Sequence, residues 1–374
     1  MSARLETTSA NRSVIPGLDG IRAMAVLTVF LFHAQIIPHV PGELATTVFF
    51  FLSGYLITTL FVREHRKTGS ISLGGFYYRR ALRTLPPLFV ALLLALGVHF
   101  LLGVGEPLIP WKAAGNFLNY TNYGLALTGD NAGFLPGTIL LWSLAVDEHY
   151  YLLFAPAFRA AIKRVSMRTI IWGILLLCAV ALAWRIWLVW SSGDVTYRET
   201  MASDTRMDSI LWGSLLALWR NPALEPNMAK TLTKPFWVLA GAAGLVFVEI
   251  CRNRQFVGTF GFTIEGLAMI PLFALAIQSG GKGALKFLQW PWLLWVSRAS
   301  YPLYLLQWIM ISTCEKYVHA PRLAQMAVAA ALTLGLGAAM HYGLERPILA
   351  MRKRRTGSKA ADKPNLEAVV AATA

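Results

Sequence analysis

Ten stretches of mostly apolar sequence recur along this chain. They lie at about 21–38, 44–62, 85–103, 138–158, 169–190, 206–219, 235–250, 263–279, 299–314 and 324–345. A membrane helix needs roughly 20 mostly apolar residues, so together the stretches take about 200 positions out of water. Only 14% of the residues are charged, where a soluble domain carries about 25%. With 56% of 374 residues apolar, a soluble fold would have no way to hide its surface. The pattern predicts an all-α polytopic integral membrane protein of about ten transmembrane helices. The longest loop, 104–137, is too short for a separate globular domain. Residues 1–350 therefore read as a single membrane domain, and 351–374 as a basic, then polar, Ala-rich and disordered tail.

The net charge of +15 is distributed unevenly. Basic residues cluster in 63–83, 159–168, 220–234, 280–289 and 352–359, and thin out in 104–137, 191–205 and 251–260. Ten spans with both termini in the cytoplasm satisfy this alternation. The excess charge is then a topology signal and a contact for anionic lipid. No basic stripe is interleaved with stacking aromatics, so nucleic acid is not an expected partner. Arg4 and Arg12 imitate a signal peptide's basic start. However, Asp19 and Arg22 interrupt the approach to the first apolar run and nine more runs follow, so that run reads as an uncleaved helix. Trp111, Trp142, Trp190, Trp237, Trp290 and Trp292 fall near span ends, as interface anchors do. Cys178, Cys251 and Cys314 are widely spaced and suggest neither a metal cluster nor a disulfide set, so no metal ligand is expected. No internal repeat of the kind found in inverted-repeat transporters is visible.

Ionisable groups inside apolar spans are costly, so each needs a reason. Arg22 and His33 are eleven residues apart. That is close to three full turns, so the two share one helix face about 16.5 Å apart along the axis. Arg80 and Arg83, at i and i+3, could form a phosphate-binding fork or could be a topology-setting basic loop. Pro86 and Pro87 suit the first turn of the third span. The fourth span carries Asp147, Glu148 and His149 in succession, with Ser143 one turn before Asp147. Asp147 and Glu148 point about 100° apart, which suits different jobs; an interhelical ion-pair network is the plainer alternative. Arg206 and Asp208 at the start of the sixth span, and His341 with Glu345 in the tenth, read as members of helix-pinning ion pairs, and His99 as packing.

Taken in order, these residues resemble the membrane-bound acyltransferase 3 family, of the glycan O-acetyltransferase type. The family's basic residue, ten residues, then His is matched by Arg22 and His33. Its Arg-x-x-Arg after an aromatic pair is matched by Arg80 and Arg83. Its Phe-Phe-x-Leu-Ser-Gly stretch is matched by Phe50 to Gly54, and its Trp-Ser-Leu-x-x-acid stretch by Trp142 to Asp147. Arg206 and Asp208, Ser300 to Tyr304, and Glu345 with Pro347 match the later motifs. The resemblance covers about 16–350. This chain departs from the family in having Asp147 where Glu is usual, and Gln307 where His often follows. A glycan-modifying subset of the family also carries a soluble esterase-like domain, which is not found in this sequence.

The resemblance implies O-acyl transfer, commonly of acetyl from acetyl-coenzyme A, to a hydroxyl of a glycan or lipid-linked glycan. A cell-envelope or secreted polysaccharide, such as an exopolysaccharide, is the expected acceptor, and a bacterial inner membrane the expected location. In this reading Arg22, Arg80 and Arg83 hold the donor's phosphates at the cytoplasmic mouth. His33 is the general base for the acceptor hydroxyl, and Asp147 or Glu148 orients its imidazole. A covalent route through His33, Ser53 or Ser143 stays open. Two other classes compete. A transporter or flippase would use the same ionisable groups as a proton relay and would have no use for acyl-coenzyme A. In a structural subunit the buried charges would only pin helices.

Overall fold

In a computed structural model of the chain, which describes residues 15, 17–251, 253–280 and 282–351, every regular element is helical. A helix lies at each of the ten apolar stretches: α1 (Leu18–Ala34), α2 (Gly42–Thr68), α3 (Leu73–Leu102), α6 (Leu141–Ala161), α7 (Met167–Ser192), α9 (Ser203–Trp219), α11 (Pro235–Cys251), α13 (Phe262–Ser279), α15 (Ser300–Tyr317) and α16 (Arg322–Met340). Shorter helices fill the connections: α4 (Pro110–Leu118), α5 (Thr121–Thr128), α8 (Tyr197–Met201), α10 (Pro226–Ala229), α12 (Arg254–Phe256) and α14 (Pro291–Arg298). Five continuous helical segments are long and apolar enough to cross a membrane: Gly42–Thr68, Leu73–Leu102, Met167–Ser192, Arg254–Ser279 and Arg322–Met351. The expected tail beyond Met351, with Arg4, Arg12 and Arg252, lies outside the described residues.

Contacts between helix ends define two faces of the bundle. At the first, which holds Arg22, Asp19 accepts from Ser297 at 3.2 Å and Gln278 donates to the Pro226 carbonyl at 2.7 Å. At the second, which holds His33, Arg322 donates to the Ala34 carbonyl at 2.9 Å and Arg254 to that of Val195 at 3.1 Å.

The 104–137 loop carries α4 and α5 on the His33 face and is tied by a buried lysine. Lys112 donates to Asp130 at 2.6 Å and to the Ala132 carbonyl at 2.8 Å. The hydrogen bond from Lys112 holds the exposed Asp130 carboxyl below the usual carboxylate range.

The centre of the bundle is α9, buried along almost its whole length. It crosses α2 so closely that a Cβ on Gly54 would lie 1.9 Å from the Ile210 carbonyl oxygen, and one on Gly213 2.0 Å from that of Phe51. Small residues at such a crossing let membrane helices approach backbone to backbone. Hydroxyls fasten the crossing: Thr58 donates to Ser214 at 2.9 Å, and Ser214 to the Gly54 carbonyl at 3.2 Å. Gly54 is the last residue of the Phe-Phe-x-Leu-Ser-Gly stretch, so this motif has a packing role.

Two expectations about element edges and anchors are corrected. The third span does not start at Pro86. Helix α3 begins at Leu73, where Ser72 caps it by accepting from the Gly75 amide at 3.2 Å, and both prolines lie inside it. Each proline removes one backbone N–H and crowds the carbonyl one turn back, yet the helix runs through both. Trp142 is no exposed interface anchor; it is half-buried against Phe50 and turned into the bundle, while Trp111, Trp190, Trp237, Trp290 and Trp292 are exposed.

Candidate active site

At the Arg22 face, α1, α3, α6 and α15 bring the expected arginines and carboxylates together. Arg22 donates to Asp19 at 3.1 Å. Arg80 donates from Nε to both oxygens of Glu148 at 3.0 Å, and its guanidinium lies 3.5 Å from the centre of the Tyr151 ring. Arg83 is exposed and has no hydrogen-bonded or ion-paired partner among the described residues. Its charge repels Arg22 and attracts Glu345. The two members of the Arg-x-x-Arg pair are therefore not equivalent. Arg80 is spent on clamping α3 to α6, and Arg83 keeps its donors.

This asymmetry gives a test. Arg83→Ala should raise the KM of an anionic donor about tenfold, equivalent to about 1.4 kcal/mol, with kcat little changed. Arg80→Ala should instead lower thermal stability, because it leaves Glu148 without its cation. Steady-state kinetics and thermal unfolding in detergent separate the two outcomes.

At the opposite face His33 is half-buried in a cavity of about 300 Å³, with Val29, Trp142, Arg206 and Tyr304 among its walls. The imidazole Nδ1 is 2.8 Å from the Val29 carbonyl. A carbonyl can only accept, so in the neutral ring the proton sits on Nδ1 and the lone pair on Nε2. The ring is held edge-on to Trp308 and Phe32, with centroids at 4.3 and 5.1 Å. Tyr304 donates to the Leu140 carbonyl at 2.9 Å and lies 2.7 Å from Ser143.

The expected carboxylate is not what orients His33. Glu148 is engaged by Arg80, and Asp147 accepts from Ser53 at 3.1 Å. The backbone carbonyl one turn back in α1 takes the Nδ1 proton instead. Asp147 keeps Oδ1 buried and unpartnered between α2 and α6.

Of Arg206 and Asp208, only Asp208 forms a helix-pinning ion pair among the described residues. Asp208 takes a two-pronged pair from Arg185 of α7, at 2.8 and 2.7 Å, with both side chains fully buried. Two residues apart on a helix point about 200° apart, so α9 itself separates Arg206 from Asp208. Arg206 turns toward the His33 cavity, and the sequence reading missed its place there. The expected pair of His341 and Glu345 does form, at 2.7 Å, in a π-helical turn.

Fold and site define a class: a helical, membrane-inserted protein with a histidine cavity at one face and arginines at the other. The acyltransferase 3 family model, described as an acyltransferase domain, matches residues 15–342, and the chain belongs to that family. It is similar to the O-acetyltransferase OatA of Staphylococcus aureus strain NCTC 8325 / PS 47, being 29% identical over 326 residues, which are 84% of this chain and 53% of that protein. The OatA of S. aureus strain COL matches with the same identity and coverage. The chain thus spans about half the length of these curated relatives. No solved structure matches it.

Proposed function

We propose that the chain is an acyl-coenzyme A-dependent O-acyltransferase of a bacterial inner membrane. It moves an acyl group, acetyl in the first instance, from a cytoplasmic donor to a hydroxyl of a cell-envelope or secreted polysaccharide or its lipid-linked repeat unit. All ten long helices cross the bilayer, with both termini in the cytoplasm. The support for this orientation is charge: Arg63, Arg66, Lys67, Arg159, Lys163, Arg164 and Arg168 belong to the Arg22 face.

One observation carries the reading. His33 presents a free Nε2 to a cavity, while Arg22 and Arg83 sit at the other end of the bundle, where an anionic donor would arrive. Arg22 and Arg83 receive the donor's phosphates, with Arg80 and Glu148 holding the helices that present them. The acyl thioester reaches His33 along the face of α1 that Arg22 and His33 share. The acceptor hydroxyl attacks the thioester carbon, its proton passes to Nε2, and the coenzyme leaves as a thiol after taking that proton back. Asp147 and Ser53 lie between the two ends and line the interior of α2 and α6.

The test supplies acetyl-coenzyme A, radiolabelled in the acetyl group, to inverted membrane vesicles that expose their cytoplasmic face. Label should enter a glycan fraction. Right-side-out vesicles given the same donor outside should incorporate none. Equal labelling from both sides would overturn the cytoplasmic donor. No labelling from either, with inserted protein and a panel of glycan acceptors, would overturn acyl-coenzyme A as donor.

A further inference from the structure

Among the described residues two arginines lie fully inside the bundle, and they are satisfied very differently. Arg185 spends all three nitrogens: Nε on the Thr259 carbonyl at 3.1 Å, Nη1 on Asp208 and the Thr205 carbonyl, and Nη2 on Asp208 and Thr263. Arg206 is equally buried, at 1% exposure, yet only Nη2 has a partner, the Thr47 hydroxyl at 2.9 Å. Its Nε and Nη1 are buried without any hydrogen bond. Among the described residues no carboxylate comes within ion-pair distance of it; Glu265, Asp208 and Glu43 act on it only from further away. Buried donors left unpaired need an explanation.

The geometry supplies one. The Arg206 guanidinium lies 3.5 Å from the centre of the Phe262 ring and 5.4 Å from that of Phe50, so aromatic faces fix its position. It lines the same cavity of about 300 Å³ as His33. That cavity continues outward into a larger cleft of about 620 Å³, which shares Glu43, Tyr197, Thr200 and Met201 with it and adds Arg254 and Gly258. A fixed cation with two unpartnered donors, on the wall of a cavity that it shares with a base, suits charge that appears only during reaction.

We propose that Arg206 is the second catalytic residue of this chamber, holding the negative charge that develops on the carbonyl oxygen of the acyl thioester. The proposal rests on the acyl-transfer reading above. As the acceptor oxygen bonds to the thioester carbon, its proton passes to His33 Nε2 and the carbonyl electron pair moves onto oxygen. Nε and Nη1 of Arg206 donate to that oxyanion. When the carbonyl re-forms, the carbon–sulfur bond breaks and the thiolate takes the proton from the imidazolium. The Thr47 hydroxyl accepts from Nη2 throughout and positions the fork. Stabilisation confined to the transition state should appear in kcat and leave ground-state donor binding alone.

The experiment measures acyl-transfer kinetics in inverted vesicles for wild type, Arg206→Ala, Arg206→Lys and Thr47→Val. Arg206→Ala should lower kcat by about 10²–10³-fold, the usual loss for one oxyanion donor, with the donor KM within a few-fold of wild type. Arg206→Lys should fall between, because it keeps the charge and loses the planar fork. Methylguanidinium added to Arg206→Ala should restore part of the lost turnover, which a merely structural arginine would not allow. A kcat within a few-fold of wild type, or a loss confined to KM, overturns the assignment of Arg206 while the enzyme reading stands. If Arg206→Ala does not insert, Thr47→Val decides: a lowered kcat at unchanged donor KM supports the role, and an unchanged kcat overturns it. Wild-type vesicles that transfer nothing from acetyl-coenzyme A to a panel of glycan acceptors overturn acyl-coenzyme A as donor, and the role of Arg206 at its thioester falls with it.

Discussion

His33→Ala should reduce acyl transfer by about 10²–10⁴-fold, the range lost when a positioned general base is removed. Membrane insertion should be unchanged, because the imidazole contributes one backbone hydrogen bond and two ring contacts at the end of α1. His33→Gln should be as inactive as the alanine variant. Its amide can hydrogen-bond the Val29 carbonyl, but it has no lone pair able to take a proton near neutral pH. Labelled acetyl incorporation measures the loss, and circular dichroism with limited proteolysis checks the fold. Full activity in a folded His33→Ala protein would remove the mechanism and return weight to a non-catalytic reading of the intramembrane charges.

The position of every long helix was legible in the sequence because length and apolar composition decide a membrane helix almost alone. The face shared by Arg22 and His33 was legible too, since it follows from helical periodicity within one element. What composition did not give was partners across the bundle. Arg80 and Glu148 are 68 residues apart and Arg185 and Asp208 are 23 apart. A single sequence carries no signal for either pairing, so Arg185 was passed over inside an otherwise apolar run. Asp208 forms a helix-pinning pair as expected and Arg206 does not; their two-residue spacing puts them on opposite faces of α9. The orientation of His33 was the opposite kind of surprise. Its partner is local, the carbonyl one turn back, where a distant carboxylate had been expected by analogy with triads.

Asp208→Leu should cost the fold about 3–5 kcal/mol, the loss expected when one member of a buried ion pair is removed. Arg185 makes the reason concrete. Its guanidinium reaches α9 through Asp208, the turn before α13 through Thr259 and α13 itself through Thr263. Without the carboxylate a full positive charge remains in a fully buried site. Arg185→Met alone leaves the complementary defect, an unpaired buried carboxylate. The double variant Arg185→Met with Asp208→Leu removes both charges and fills the space with apolar atoms, so it should recover most of the stability lost by either single variant. Thermal unfolding of the four proteins in detergent closes the cycle. The double variant also separates scaffold from chemistry. Its kcat should stay near that of wild type, because neither Arg185 nor Asp208 lines the His33 cavity, whereas Arg206 on the same helix as Asp208 does. Turnover in the double variant as low as in Arg206→Ala would mean that the buried pair reaches the reacting atoms, and the division of α9 into a structural and a catalytic face would fail.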